Sequence, residues 1–204
     1  RTVAYLSTHP EATVVALAEG LQTTFWRLSE RVPDHRFRWL SVDLPPMIEL
    51  RAELLPASDR IRMLGQSALD YSWMDHVDAT NGVFITAEGL LMYLQPEESL
   101  GLIAQCAKRF PGGQMMFDLP PAWASKLTGR GHRTSRRYRV PPMPFSLSRA
   151  EADNLVNTIP GVTAVHHVPM ATPRGVVLGT LNRAVQRSRR LEDLAPMQLL
   201  LEFG

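Results

Sequence analysis

Cysteine is nearly absent: the 204 residues hold one, Cys106. That excludes an internal disulfide and suits a reducing, cytoplasmic setting. Cys106 falls on a helical apolar pattern and reads as core. Long apolar runs are missing too. None approaches the roughly 20 residues a membrane-spanning helix needs, so no membrane partner is expected. No Cys/His group has metal-ligand spacing, and Asp75 and Asp78 alone do not make one, so no metal is expected. There is no G-x-S-x-G element to present a serine nucleophile. Charge of one sign is not in large excess. Twenty-two Lys and Arg against 20 Asp and Glu leave +2, which does not argue for a nucleic-acid partner.

The basic excess is local. Residues 129–139 (GRGHRTSRRYR) hold five arginines and no acid, and Arg183, Arg187, Arg189 and Arg190 form a second group. The plain reading is solvated loops and faces; the sharper one is attraction of an anionic small-molecule substrate. The chain opens on Arg1, so it is expected to be part of a longer one.

What is present alternates between short apolar runs and longer amphipathic stretches. Residues 14–17 (VVAL) are apolar without a break, the mark of a strand buried on both faces. Further strands are expected at 37–42, 60–64, 82–86, 114–119, 162–168 and 199–203. A helix over 44–55 tolerates Pro45 and Pro46 in its first turn. Another opens at Pro96, with Glu97 and Glu98 favoured by its dipole, and stops at Pro111-Gly112-Gly113. Ser148 with Glu151 three positions on is a capping box. Residues 120–147, rich in Pro, Arg and Gly, read as an irregular basic loop or lid. Strand and helix alternate at least four times, which predicts one α/β domain over 1–204. Its central sheet is expected to be mostly parallel, with helices on both faces.

Ligands of such sheets sit at the carboxyl ends of the strands. The first strand runs into Ala18-Glu19-Gly20, a turn with one glycine where dinucleotide loops carry two or three. Asp43 follows the second strand, about 20 residues on, the spacing of a carboxylate that grips ribose hydroxyls. On spacing alone it is equally a helix N-cap. The third strand leads to Gly65-Gln66-Ser67-Ala68-Leu69-Asp70, and the fourth to Glu88.

These residues carry a resemblance. LAEGLQTTFWRL (17–28), WLSVDLPPMIELRAELLP (39–56) and FITAEGLLMYLQPEE (84–98) resemble the leucine carboxyl methyltransferase family. More closely they are similar to its bacterial branch of tetracenomycin-type polyketide O-methyltransferases. The resemblance continues through FPGGQMMFD and YRVPPMPFSLSRAE. It implies a Rossmann-like class I methyltransferase fold and S-adenosyl-L-methionine as cofactor. It further implies an O-methyltransferase that acts on a carboxylate or hydroxyl of a small, polyketide-like acceptor. Leu17, Gly20, Leu21 and Thr23 match the family's first motif. Asp43, with Leu44 beside it, matches the acid implied to hold the ribose. Ser67, Ala68 and Leu69 fall where the adenine contacts are implied. Glu88 matches the acid of the AE-x-x-L-x-Y motif, near the methionine end, and Tyr93 closes that motif. Tyr93, Arg137 and Tyr138 are the expected substrate-side residues.

Two positions depart from the pattern: Ala18 replaces a glycine and Gln22 an aspartate. A methyl group at position 18 costs little at negative φ and more at positive φ. Glu19 would repel a dinucleotide's pyrophosphate but not a ligand that carries a sulfonium and an ammonium. An arginine that grips the cofactor carboxylate in the family is expected before Arg1. The rival readings are a methyltransferase-like fold without catalysis, serving as a binding or scaffold module, and, remotely, a nicotinamide dehydrogenase. No histidine stands among the strand ends as a base. His132 lies in the basic loop, His76 reads as structural, and His166 and His167 alternate along a strand.

Overall fold

The computed structural model describes residues 1–129, 140–169 and 194–204. Its seven strands are β1 (Thr13–Leu17), β2 (Arg38–Asp43), β3 (Ile61–Gly65), β4 (Val83–Ala87), β5 (Gln114–Leu119), β6 (Val162–Val168) and β7 (Met197–Phe203). They form one sheet in the order β3-β2-β1-β4-β5-β7-β6. The first five pair in parallel, and β7 runs antiparallel to both β5 and β6. The order turns back between β1 and β4. This is the switch point at which such sheets open a ligand crevice.

The helices are α1 (Thr2–Thr8), α2 (Thr24–Arg31), α3 (Pro45–Leu54), α4 (Pro96–Arg109), α5 (Ala122–Gly129), α6 (Arg149–Asp153) and α7 (Leu155–Thr158). Side chains of a strand alternate between faces, so each buried strand feeds two cores. Val15 and Leu17 of β1 pack with Leu102, Ile103 and Cys106 of α4. Val14 and Ala16 point the other way, to Tyr5 and Leu6 of α1 and Phe25 and Leu28 of α2. All five residues of β1 are buried, as the unbroken apolar run predicts. Cys106 is wholly buried, in keeping with its reading as core.

Helix α4 spans Pro96–Arg109 with Glu97 and Glu98 in its first turn. Glu98 Oε2 accepts from the Gln95 amide at 2.8 Å, which satisfies one of the helix-start donors. The Ser148 capping box is formed, with Ser148 N donating to Glu151 Oε2 at 2.7 Å and Glu151 N to Ser148 Oγ at 3.3 Å. His166 and His167 diverge along β6, as alternation requires. Their Nε2 atoms lie 3.0 Å from Glu202 and 2.8 Å from Asp153.

Segment 120–147 departs from the irregular reading: its early part is helix α5. Pro120 and Pro121 lie just before that helix, where the missing N–H groups cost nothing. The Pro121 carbonyl then accepts from Ala124 N at 2.9 Å. Residues 130–139 of the basic loop lie outside the described residues.

Candidate functional site

The parallel register sets the strand ends level. Leu17 pairs with Val42, and Asp43 with Gly65. The turn after β1, the acid after β2 and the loop after β3 therefore meet at one edge, with the β4 end alongside.

The turn is unusual in its backbone. Ala18 has φ +51°, the one non-glycine positive φ among the described residues, and Gly20 has φ +58°. A left-handed alanine crowds its Cβ against the backbone, which glycine avoids. The turn is also tied down. Ala18 N donates to Val42 O at 2.8 Å and Gln22 N to Glu19 O at 3.2 Å.

Asp43 joins β2 to this turn. Its Oδ2 accepts from Gly20 N at 2.8 Å and its Oδ1 from Leu44 N at 2.8 Å. The N-cap of α3 is Leu44, with no side-chain cap, so Asp43 is not the helix cap that spacing allowed. Leu44 itself is largely exposed beside it.

The loop after β3 leans on the same carboxyl-end residue. Gln66 N donates to the Asp43 carbonyl at 2.9 Å. Ser67 Oγ accepts from Leu69 N at 3.2 Å, and the Ala68 carbonyl accepts from Trp73 Nε1 at 3.0 Å. Trp73 is buried in the 3-10 turn Tyr71–His76, so Ala68 is fixed from below. The backbones approach closely at Gly65, where a Cβ would lie 3.2 Å from Pro45 Cα.

At the β4 end, Gln22 Nε2 donates to Glu88 Oε2 at 3.4 Å, and Gln22 Oε1 accepts from Thr24 Oγ1 at 3.2 Å. Glu88 is exposed. Glu19, Gln22, Thr86, Glu88 and Thr2 line a narrow pocket between the β1 and β4 ends. Tyr93 lies on the 3-10 turn Leu91–Tyr93 and is 42% exposed. Arg137 and Tyr138 lie outside the described residues.

Glu19 lines this pocket and is also held by protein from beneath the turn. It is 5% exposed and its Oε2 is taken by protein. Trp39 Nε1 donates to it at 3.0 Å, Ser41 Oγ also donates, and Arg51 Nη2 lies 2.9 Å away. Burial pushes the Glu19 carboxyl above its ordinary value, while the Ser41 and Trp39 hydrogen bonds and the Arg51 charge pull it down. Glu19 thus supports the turn through Oε2, while its buried Oε1 has no hydrogen-bond partner.

Two residues of this edge escaped the sequence reading. Arg51 sits in a helix pattern that looks like a solvated face, yet it is fully buried. Asp118, near the end of β5, accepts from Gly89 N at 2.6 Å, and the strand-end punctuation that singled out Asp43 applies to it equally.

The family model of leucine carboxyl methyltransferases matches residues 7–107. The tetracenomycin polyketide synthesis O-methyltransferase TcmP of Streptomyces glaucescens is 32% identical over 158 residues, 78% of this chain and 56% of that protein. The chain belongs to the leucine carboxyl methyltransferase family. It spans little more than half the length of that curated relative. The matched segment contains the β1 turn, Asp43, the 67–69 loop and Glu88, so the candidate site lies inside the family's shared core.

Solved structures share the fold at low identity. An O-methyltransferase family protein from Burkholderia thailandensis matches all of this chain and 54% of its own, with TM-score 0.56 and 15% identity. Human N-acetylserotonin methyltransferase, solved in complex with S-adenosylmethionine, matches all of this chain and 50% of its own, with TM-score 0.59 and 11% identity. The sheet of this family member is therefore the Rossmann-like methyltransferase sheet. Among the described residues no helix is long and apolar enough to cross a membrane, and no group of three His, Cys, Asp or Glu could hold a metal.

Proposed function

We propose that this protein is an S-adenosylmethionine-dependent O-methyltransferase whose acceptor is a small, anionic, polyketide-like molecule. The observation that carries the reading is the Asp43–Gly20 contact at the carboxyl ends of β1 and β2, next to the switch point. It sets a carboxylate against the left-handed turn that follows β1.

The donor set suits this cofactor. Space is open above Gly20, where a Cβ would meet nothing within 4 Å. Asp43 offers a carboxylate to a ribose diol. Ala68 and Leu69 offer apolar surface to an adenine, and Ser67 a hydroxyl. Gln22 and Glu88 offer oxygens to an ammonium group. The turn presents no glycine-rich run of bare amides, which a pyrophosphate would need and this cofactor does not.

S-adenosylmethionine supplies an electrophilic methyl group on a sulfonium. The protein's own part is then alignment: Asp43 and the 67–69 loop fix one end, and the Gln22–Glu88 pair the other. Such positioning is worth up to about 7–11 kcal/mol of the barrier. A carboxylate acceptor is already ionised at pH 7 and asks for no general base. A phenol, with pKa near 10, would ask for one. No histidine lies at this edge among the described residues; His166 and His167 are on β6, committed to Glu202 and Asp153. The reading favoured is therefore a carboxylate acceptor, drawn by the arginines of 130–139.

The test is transfer of a tritiated methyl group from S-adenosylmethionine to paired aromatic acceptors that differ only in carboxyl or hydroxyl. The reading expects label in a base-labile ester. Label confined to base-stable ethers overturns the carboxylate assignment, and no label in any acceptor overturns the enzymatic one.

A further inference from the structure

Helix α3 buries one residue completely, and that residue is an arginine. Leu50 and Leu54 of the same helix stay exposed. An amphipathic helix ordinarily buries its apolar stripe. Burying Arg51 instead demands an explanation, because an enclosed guanidinium is costly unless its donors and its charge are met.

Its partners are all in one place. Nη1 donates to the carbonyl of Gly20 and, at 3.2 Å, to that of Gln22. Nη2 pairs with Glu19 at 2.9 Å. The hydrogen bonds and the ion pair of the Arg51 side chain all go to the turn that follows β1. That turn contains the left-handed Ala18 and Gly20 and carries the residues assigned to the cofactor. From the other side Asp43, eight positions before Arg51, holds Gly20 N. One β2–α3 unit therefore grips the turn at its amide through Asp43 and at its carbonyls through Arg51.

We infer that Arg51 is a positioning residue for the methyl donor. It clamps the carbonyls of Gly20 and Gln22 so that the strained turn keeps the shape the cofactor meets. Glu19 is its counter-ion, held in turn by Trp39 and Ser41. This also accounts for two oddities of the motif. A carboxylate is tolerated in the turn because the Arg51 guanidinium meets its charge. An alanine is tolerated at positive φ because the surrounding contacts over-determine the backbone. The planar fork matters: one guanidinium reaches two carbonyls and a carboxylate together, and a lysine ammonium on a single stem does not.

The inference rests on the S-adenosylmethionine reading above, and its test separates the two. Arg51→Met alone would leave Glu19 buried without a partner and could unfold the protein for that reason. The informative variants are Glu19→Gln/Arg51→Met, which removes both charges, and Arg51→Lys, which keeps the counter-ion. Each is compared with the unsubstituted protein by melting temperature, by calorimetric titration with S-adenosylhomocysteine, and by hydrogen exchange of the peptide covering 18–22. The expected result is a folded variant whose affinity falls at least about tenfold and whose 18–22 amides exchange at least about tenfold faster. A folded variant with unchanged affinity and unchanged exchange overturns the inference. If the double variant does not fold, the Lys variant decides by the same readouts. If the unsubstituted protein gives no heat with S-adenosylhomocysteine, the cofactor reading fails. Exchange at 18–22 then judges the clamp alone, with acceleration supporting it and no change overturning it.

Discussion

Replacing Ala18 by glycine should stabilise the protein, against the usual effect of that substitution. Ala18 sits at φ +51°. An L-residue in the left-handed region costs about 1–2 kcal/mol. Glycine removes that cost and adds about 0.5–1 kcal/mol through the extra freedom of the unfolded chain. Little packing is lost, because Ala18 is only half-buried and contributes one methyl. The balance is a gain of about 0.5–1 kcal/mol. For a domain of this size that corresponds to a melting temperature higher by roughly 1–4 °C. The control is Ala52→Gly, at an exposed position inside α3, where φ is helical and glycine should cost about 1 kcal/mol. Thermal unfolding followed by circular dichroism, checked by urea midpoints at constant m-value, gives both numbers. If Ala18→Gly melts lower by as much as Ala52→Gly does, the left-handed turn and the strain argued from it are wrong.

Glu19→Gln should flatten one limb of the pH–stability curve. A carboxyl raised by burial binds more protons folded than unfolded, so stability falls as pH climbs from about 4.5 through its folded value. The substitution removes that slope, and an unchanged slope in urea titrations over this range refutes the buried setting. Cys106 should not react with an aromatic disulfide reagent in the folded protein, since its thiol is enclosed and burial pushes it far up; prompt stoichiometric reaction without denaturant would contradict this. Gly82→Ala should destabilise by about 1–3 kcal/mol, because φ is +97° and the added Cβ would lie 2.5 Å from Tyr5 Oη. Tyr5→Phe in the same background should recover part of the loss, which leaves the backbone strain and the 3.0 Å contact with His9 as the remainder.

Much of the fold was legible because strong local rules agreed. The apolar run of β1, the Pro96 start and Gly112–Gly113 stop of α4, and the Ser148 capping box are each set by neighbours in sequence. Helix α1 and the helix after Pro121 were not legible, since α1 is seven residues long and the prolines mask the start of α5. At the edge of the sheet, strand-end punctuation found Asp43, Gly20, the 67–69 loop and Glu88. It did not say whether Asp43 capped a helix. That needed the Gly20 amide, 23 positions away. Nor could it find Arg51 beneath Gly20, because burial of a charged helix residue is decided by partners 29 to 32 positions distant. The partners of Glu19 were hidden for the same reason: Trp39, Ser41 and Arg51 lie on other elements.

The central claim is that the β1–β2 edge holds the methyl donor through Asp43. It is tested most directly by calorimetric titration of S-adenosylhomocysteine into the protein and into its Asp43→Ala variant. The account predicts one site per chain, with affinity in the variant weaker by at least about tenfold, the loss of one hydrogen bond to a charged group. Equal binding to both proteins, or no heat with the unsubstituted one, would contradict it.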